Sequence, residues 1–152
     1  MSLICAQLFE NRKDIAEQYK SRFKYILIDE YQDINEMQQN NIEAILNDDK
    51  NLFVVGDDDQ AIYGFRGAKP GIMMEFKDRM GGSVHLINLS VNYRCGKAIL
   101  DNASLVIREN KMRFKKNIVS GTGTDGYVVA RRYKTREAQY EAMRDRDRKS
   151  VV

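Results

Sequence analysis

Four apolar or aromatic residues, Tyr25, Ile26, Leu27 and Ile28, run straight into two carboxylates, Asp29 and Glu30. The apolar run suits a buried strand. Adjacent carboxylates at its end are expensive to desolvate, so they require water, donors or a cation. The pattern then repeats. Asn35 can cap a helix whose apolar face is Met37, Ile42, Ile45 and Leu46, and the polar cluster at 47–51 ends it. Residues 52–55 form a second short apolar run, which ends in Gly56, Asp57, Asp58, Asp59 and Gln60. Gly56 allows a tight turn with close backbone approach. Strand, helix, strand in this order predicts a right-handed βαβ unit, hence an α/β fold with a parallel sheet and flanking helices. Ligands of such sheets sit just beyond the carboxyl ends of the strands. Asp29 there suits Mg²⁺, which prefers oxygen ligands, and Glu30 suits orienting or activating an attacking water. An Asp-Glu pair capping the next helix is the other reading. The delivery of acids to one sheet edge by two strands weighs against it.

The length of 152 residues fits one domain or pieces of two. An apolar fraction of 43% is ordinary for a chain with a core. Two cysteines, Cys5 and Cys95, are too few for a disulfide framework and suit a reducing cytosol, so a cytoplasmic location is expected. No apolar run has membrane-spanning length and no signal-peptide pattern is present, so no membrane partner is expected. The net charge of +3 hides an asymmetry. Residues 1–60 hold 13 acids and 6 bases, while residues 61–152 hold 9 acids and 19 bases. An acidic half beside a basic half suggests a polyanion partner, and a solvated basic surface is the alternative.

The remaining stretches fill in around this frame. Residues 1–23 read as one or two helices with Ile4, Leu8, Ile15 and Tyr19 on one face, and Asp14 with Glu17 resembles a capping box. In residues 61–68, Tyr63, Phe65 and Arg66 place two rings and a guanidinium among glycines. Such a group suits stacking on the bases of a single strand; burial of one or both rings in a core is the alternative. Pro70 can open a short helix with Ile72, Met73 and Phe76 inward, stopped by Gly81 and Gly82. Met73, Met74 and Met80 read as core filling. Residues 84–89 read as a third strand, which holds a structural His85 and delivers the turn Asn92-Tyr93-Arg94. A helix over 96–110 would face Ile99, Leu100, Ala103, Val106 and Ile107 inward. The basic run of Arg108, Lys111, Arg113, Lys115 and Lys116 offers either phosphate contacts or a solvated surface. Gly121, Gly123 and Gly126 spell GxGxxG, but the dinucleotide fingerprint must open a helix. Here the glycines lead into an expected strand at 127–133, so a loop or hairpin turn is the better account. A last helix begins near Thr135, and the charged tail at 144–149 should fray.

DEYQD at 29–33, followed by VGDDDQAIYGFRGA at 55–68, resembles motifs II and III of the UvrD/Rep/PcrA type of superfamily 1 DNA helicase. LSVNYRC at 89–95 resembles motif IV, and LFENRKDIAEQYKSRF at 8–23 resembles the family's approach to motif II. GDDDQ favours this branch over the RecB-like helicase-nucleases, which more often carry lysine before that glutamine. Departures are mild: Ile34 stands where Thr is usual, Ala61 and Cys95 where Ser is usual, and Tyr31 where Phe is common. The resemblance implies a RecA-like sheet, Mg²⁺ and ATP as cofactors, and single-stranded or partly duplex DNA as partner. It implies movement in the 3′-to-5′ direction, in repair or replication. It also implies roles: Asp29 on Mg²⁺, Glu30 as catalytic carboxylate, and Gln60 at the γ-phosphate linking the ATP and DNA sites. Tyr63, Phe65 and Arg66 would contact DNA, Tyr93 the adenine, and Arg94 the γ-phosphate.

A phosphate-cradling G-x-x-x-x-G-K-[ST] is missing from these residues. Gly96-Lys97 is followed by Ala98, and Val91 occupies the place of the first glycine. The arginine-bearing motif VI is missing too. The expectation is an internal piece of a helicase: the later part of the first RecA-like lobe at 1–88 and the start of the second at 89–152. By itself such a piece is expected to be inactive and prone to self-association through an unpaired sheet edge. Two function classes stay open, an ATP-driven DNA translocase and a non-catalytic DNA- or protein-binding remnant.

Overall fold

The computed structural model describes residues 2–81 and 84–147. Two helices, α1 (Ser2–Asn11) and α2 (Lys13–Arg22), open the chain and pack against α3 (Glu36–Ile45). An aromatic ladder joins the first two: Phe9 meets Tyr19 edge-on at 5.8 Å, and Tyr19 stacks on Phe23 at 5.8 Å. The expected capping box at Asp14 is not formed. Arg12 occupies the cap position of α2 and its side chain makes no cap hydrogen bond. Asp14 instead lies in the first turn, where its carboxylate accepts from the Arg12 guanidinium at 2.6 and 2.8 Å. α3 does carry the predicted cap. Asn35 accepts from the Gln38 N–H and Gln38 returns the bond to the Asn35 N–H, both at 3.0 Å.

The predicted strand–helix–strand unit is present. β1 (Ile26–Ile28) and β2 (Leu52–Val54) flank α3 in sequence and pair in parallel, with Ile26 opposite Leu52 and Ile28 opposite Val54. Ile28 and Val54 turn toward a small core of Tyr31, Ile34 and Ile72, closed by Ile42, Met73 and Phe76. Tyr31 is wholly buried and meets Phe76 edge-on at 5.5 Å. The other face of the sheet is bare, with Leu27 72% and Phe53 57% exposed. The apolar run at 25–28 is therefore covered on one face only, and the alternation of a strand decides which side chains gain cover. Ile72 and Met73 come from α4 (Pro70–Met74), opened by Pro70 as expected, and Phe76 begins a separate helix, α5 (Phe76–Met80), which ends at Gly81. Gly82, the second expected stop, lies outside the described residues.

The third strand expected at 84–89 is not formed. Residues 84–89 have no ladder partner among the described residues, and Leu86, Ile87 and Leu89 are exposed. A strand exists only where its N–H and C=O groups find a neighbour, and apolar character alone does not supply one. His85 is accordingly exposed and not a core residue. Pairing begins just beyond: β3 (Val91–Asn92) joins β4 (Val119–Ser120) in a second parallel sheet. α6 (Lys97–Ile107) connects them. It has no buried residue: of the inward face expected from Ile99, Leu100, Ala103, Val106 and Ile107, Leu100 and Ile107 are half-buried and the other three stay exposed. Residues 127–133 form no strand either, and Tyr127, Val128 and Val129 are exposed. α7 (Arg136–Asp147) continues through most of the tail expected to fray, because its alternating charges suit a solvated helix; residues 148 and 149 lie outside the described residues. The architecture is α/β, with two small parallel sheets and helices around them.

Candidate functional site

Parallel pairing puts the ends of β1 and β2 side by side, so Asp29-Glu30 and the 57–60 turn share one sheet edge. The ladder reaches past both strands: Val55 N–H donates to Ile28 C=O and Tyr31 N–H to Val55 C=O, each at 2.9 Å. Glu30 is thus trapped between a paired strand and the buried Tyr31 ring. Its backbone adopts the left-handed region, φ 50° and ψ 44°. That conformation costs a non-glycine residue about 1 kcal/mol, and it persists because both neighbours are fixed. Asp29 Oδ1 accepts from the Glu30 N–H at 2.9 Å. Both carboxylates remain exposed; Glu30 stands at the cap position of a 3₁₀ turn, Tyr31–Asp33, but its side chain makes no cap hydrogen bond, and Asn35 caps α3. An exposed oxygen-ligand pair of this kind fits Mg²⁺ with most of its waters retained.

Gln32 joins the two strand ends, a role absent from the sequence expectations. Its side chain is buried, donates to Glu30 Oε2 at 2.7 Å and accepts from the Asp57 N–H at 3.0 Å. Gly56 makes room for it: a Cβ there would lie 2.8 Å from Gln32 Oε1. Asp57 in turn accepts from the Gln60 side-chain amide at 2.8 Å. Glu30, Gln32, Asp57 and Gln60 therefore form one hydrogen-bonded string. A polar residue two places after the acidic pair was the only sequence signal for Gln32.

The three aspartates have a second surprise. Lys116 Nζ lies 2.5, 2.5 and 2.9 Å from oxygens of Asp57, Asp58 and Asp59. Arg113 grips Asp59 with two parallel bonds of 2.8 and 2.7 Å. Arg113 and Lys116 therefore depart from both readings of the basic run, whereas Arg108, Lys111 and Lys115 stay exposed. Burial alone would lower the Lys116 pKa, but the three carboxylates more than offset it and raise it. For Asp57, burial raises the pKa, and the Lys116 and Gln60 bonds outweigh it to bring it below the carboxylate range. Asp59 is lowered by the Arg113 bonds first, against burial, with help from Lys116.

Beyond this turn, Tyr63, Phe65 and Arg66 form a group of their own. The rings stand 5.9 Å apart, and the guanidinium sits 5.0 Å from the Tyr63 centroid and 5.5 Å from the Phe65 centroid. Phe65 is 80% exposed and Tyr63 half-buried, so neither joins the core of the alternative reading. The segment is anchored by Lys69 N–H donating to Ile34 C=O at 3.1 Å. Tyr93 and Arg94 follow β3 on a turn held by Asn92, whose Oδ1 accepts from the N–H groups of Arg94 and Cys95 at 2.9 and 2.8 Å. Both side chains are exposed. No described hydrogen bond joins them to Asp29, Glu30 or Gln60. The Tyr93 ring lies over Gly121, where a Cβ would come within 2.8 Å of it. The glycine-rich segment is therefore a loop that packs beneath this turn, in keeping with rejection of the dinucleotide fingerprint.

The sequence profile of the UvrD/REP helicase N-terminal domain matches residues 1–81, which include both strand ends and the aromatic group. This chain belongs to the UvrD/REP helicase family. Among its relatives, ATP-dependent DNA helicase PcrA of Staphylococcus aureus (strain Mu50) is 37% identical over 145 residues, covering 95% of this chain and 18% of the relative. PcrA of Leuconostoc citreum is 35% identical over 133 residues, covering 88% of this chain and 18% of the relative. YjcD of Bacillus subtilis (strain 168), whose name gives ATP-dependent DNA helicase as a provisional assignment, is 44% identical over 119 residues, covering 78% of this chain and 15% of the relative. The chain thus spans less than a fifth of the length of these relatives. No described helix is long and apolar enough to cross a membrane.

Proposed function

We propose that this chain carries part of the motor of an ATP-dependent DNA helicase: the later part of a first RecA-like lobe at 1–88 and the start of a second at 89–152. The observation that carries the reading is the string at the paired strand ends, where buried Gln32 ties a strained, exposed Glu30 to the Asp57–Gln60 turn. Strain over-determined by its surroundings is typical of working positions. In this reading Glu30 orients the attacking water and takes its proton, and Gln60 reaches the γ-phosphate. Asp29 holds Mg²⁺, which supplies charge neutralisation at the phosphates when bound. Arg94 adds positive charge at the γ-phosphate from the second lobe, and exposed Tyr93 offers a flat face to adenine. Tyr63, Phe65 and Arg66 present an exposed, cation-backed stacking surface to the bases of single-stranded or partly duplex DNA. Translocation runs 3′-to-5′, as the family resemblance implies. The test is Glu30→Gln in the complete helicase. It keeps the size and the bond from Gln32 but removes the base. DNA-stimulated ATP hydrolysis is expected to fall by ~10²-fold or more, with nucleotide binding retained. Wild-type turnover in this variant would sink the reading.

A further inference from the structure

Every carboxylate oxygen of the three consecutive aspartates is engaged. Asp57 Oδ1 takes Lys116 Nζ and the Asp59 N–H, and its Oδ2 takes the Gln60 amide. Asp58 takes Lys116 on one oxygen and the Phe114 N–H, at 2.7 Å, on the other. Asp59 takes both arms of Arg113, and Lys116 beside them. Three carboxylates this close, with oxygens within 4.8 Å of one another, repel strongly unless cations neutralise them. Both cations come from the α6–β4 connection, more than fifty residues further along. The Lys116 side chain is 14% and that of Asp58 1% exposed, so water screens the pair little.

We infer that Lys116 and Arg113 are positioning residues for Gln60: the 113–116 segment sets where the glutamine amide lies by fixing the aspartate turn that holds it. Lys116 and Gln60 sit on opposite oxygens of the same Asp57 carboxylate, so displacement of the ammonium rotates the acceptor that aims the amide. The turn is a single 3₁₀ turn, Asp58–Gln60, with Asp57 as its cap; Gln32 holds the Asp57 backbone N–H, and Lys116 and Arg113 hold the three carboxylates. The segment that joins α6 to β4 is thereby wired to the turn at the end of β2. The importance of this wiring for turnover rests on the proposed γ-phosphate role of Gln60, whereas the wiring itself does not.

Two measurements separate these claims. In this chain, labelled side-chain amide NMR of Gln60 reads its position directly. Lys116→Met is expected to shift the Gln60 amide signals as Asp57→Asn does. If Lys116→Met does not fold, Lys116→Arg keeps the charge but cannot match three carboxylates with one point donor, and a smaller shift is expected. Unmoved Gln60 signals in a folded variant would overturn the inference. In the complete helicase, Lys116→Met is expected to lower kcat for ATP by roughly 10- to 100-fold, the scale of a misplaced group, with KM for ATP changed by no more than about twofold. Gln60→Ala run in parallel decides the other claim. If Gln60→Ala leaves turnover intact while Lys116→Met moves the amide, the positioning stands and the catalytic reading falls. If Gln60→Ala lowers turnover while Lys116→Met changes neither turnover nor the amide, the positioning falls and the catalytic reading stands.

Discussion

Gln32 and Gly56 show how much a site can depend on residues with no chemistry of their own. Gln32 uses one end of its amide for Glu30 and the other for the backbone of Asp57, and Gly56 leaves the space it occupies. Gln32→Leu fills the volume but strands the Asp57 N–H and releases Glu30. An unpaired buried donor costs about 1–3 kcal/mol. Urea unfolding of this chain should show a loss of that size, and in the complete helicase ATP turnover should fall as well. A stability loss with full turnover would mean that Glu30 keeps its place without the amide.

Among the elements, α3 and α2 form a natural contrast in capping. α3 begins with a complete box between Asn35 and Gln38, whereas the acid near the start of α2 pairs with Arg12 at the surface. Asn35→Ala should lower unfolding free energy by about 1 kcal/mol, and Asp14→Ala should fall well short of that in the same urea melts. Equal losses would refute the capping account. The strand at 26–28 was legible because its residues are β-branched or apolar and the acids mark its end. The supposed strand at 84–89 also has four apolar residues but no ladder partner among the described residues, and composition carries no information about partners. α6 repeats the lesson: its apolar residues recur at helical spacing, yet Val106 is 73% exposed. Periodicity gives the face and says nothing of what covers it.

For the whole molecule, the aspartate–Lys116–Arg113 clamp joins the two halves, and its pH dependence follows from the directions of the shifts. Asp57 and Asp59 are lowered in the folded chain, so their contribution is present above the ordinary carboxylate pKa of about 3.9 and is lost as pH falls through the lowered values. Lys116 is raised, so its contribution is present below about pH 10.4 and is lost as pH rises through the raised value. The stability difference between wild type and Lys116→Met should therefore be flat from about pH 5 to 9 and shrink below about pH 4. Urea midpoints across that range check it. A difference that grows on acidification would contradict the clamp.

The sequence alone determined the α/β class, the order of β1, α3 and β2, and the acids that end both strands. These follow from nearest neighbours along the chain: apolar runs, an Asn cap three residues ahead of Gln38, and carboxylates with nowhere dry to go. It also marked Tyr63, Phe65 and Arg66, although it left core and surface both open. Tertiary structure alone decided that Glu30 is held in a left-handed conformation, that Gln32 bridges the strand ends, and that Lys116 and Arg113 neutralise the three aspartates. Asp58 and Lys116 are 58 residues apart in the chain. A charge pair at that separation leaves no periodic trace, because its partner is chosen by the path of the intervening backbone and by which groups lose their water together.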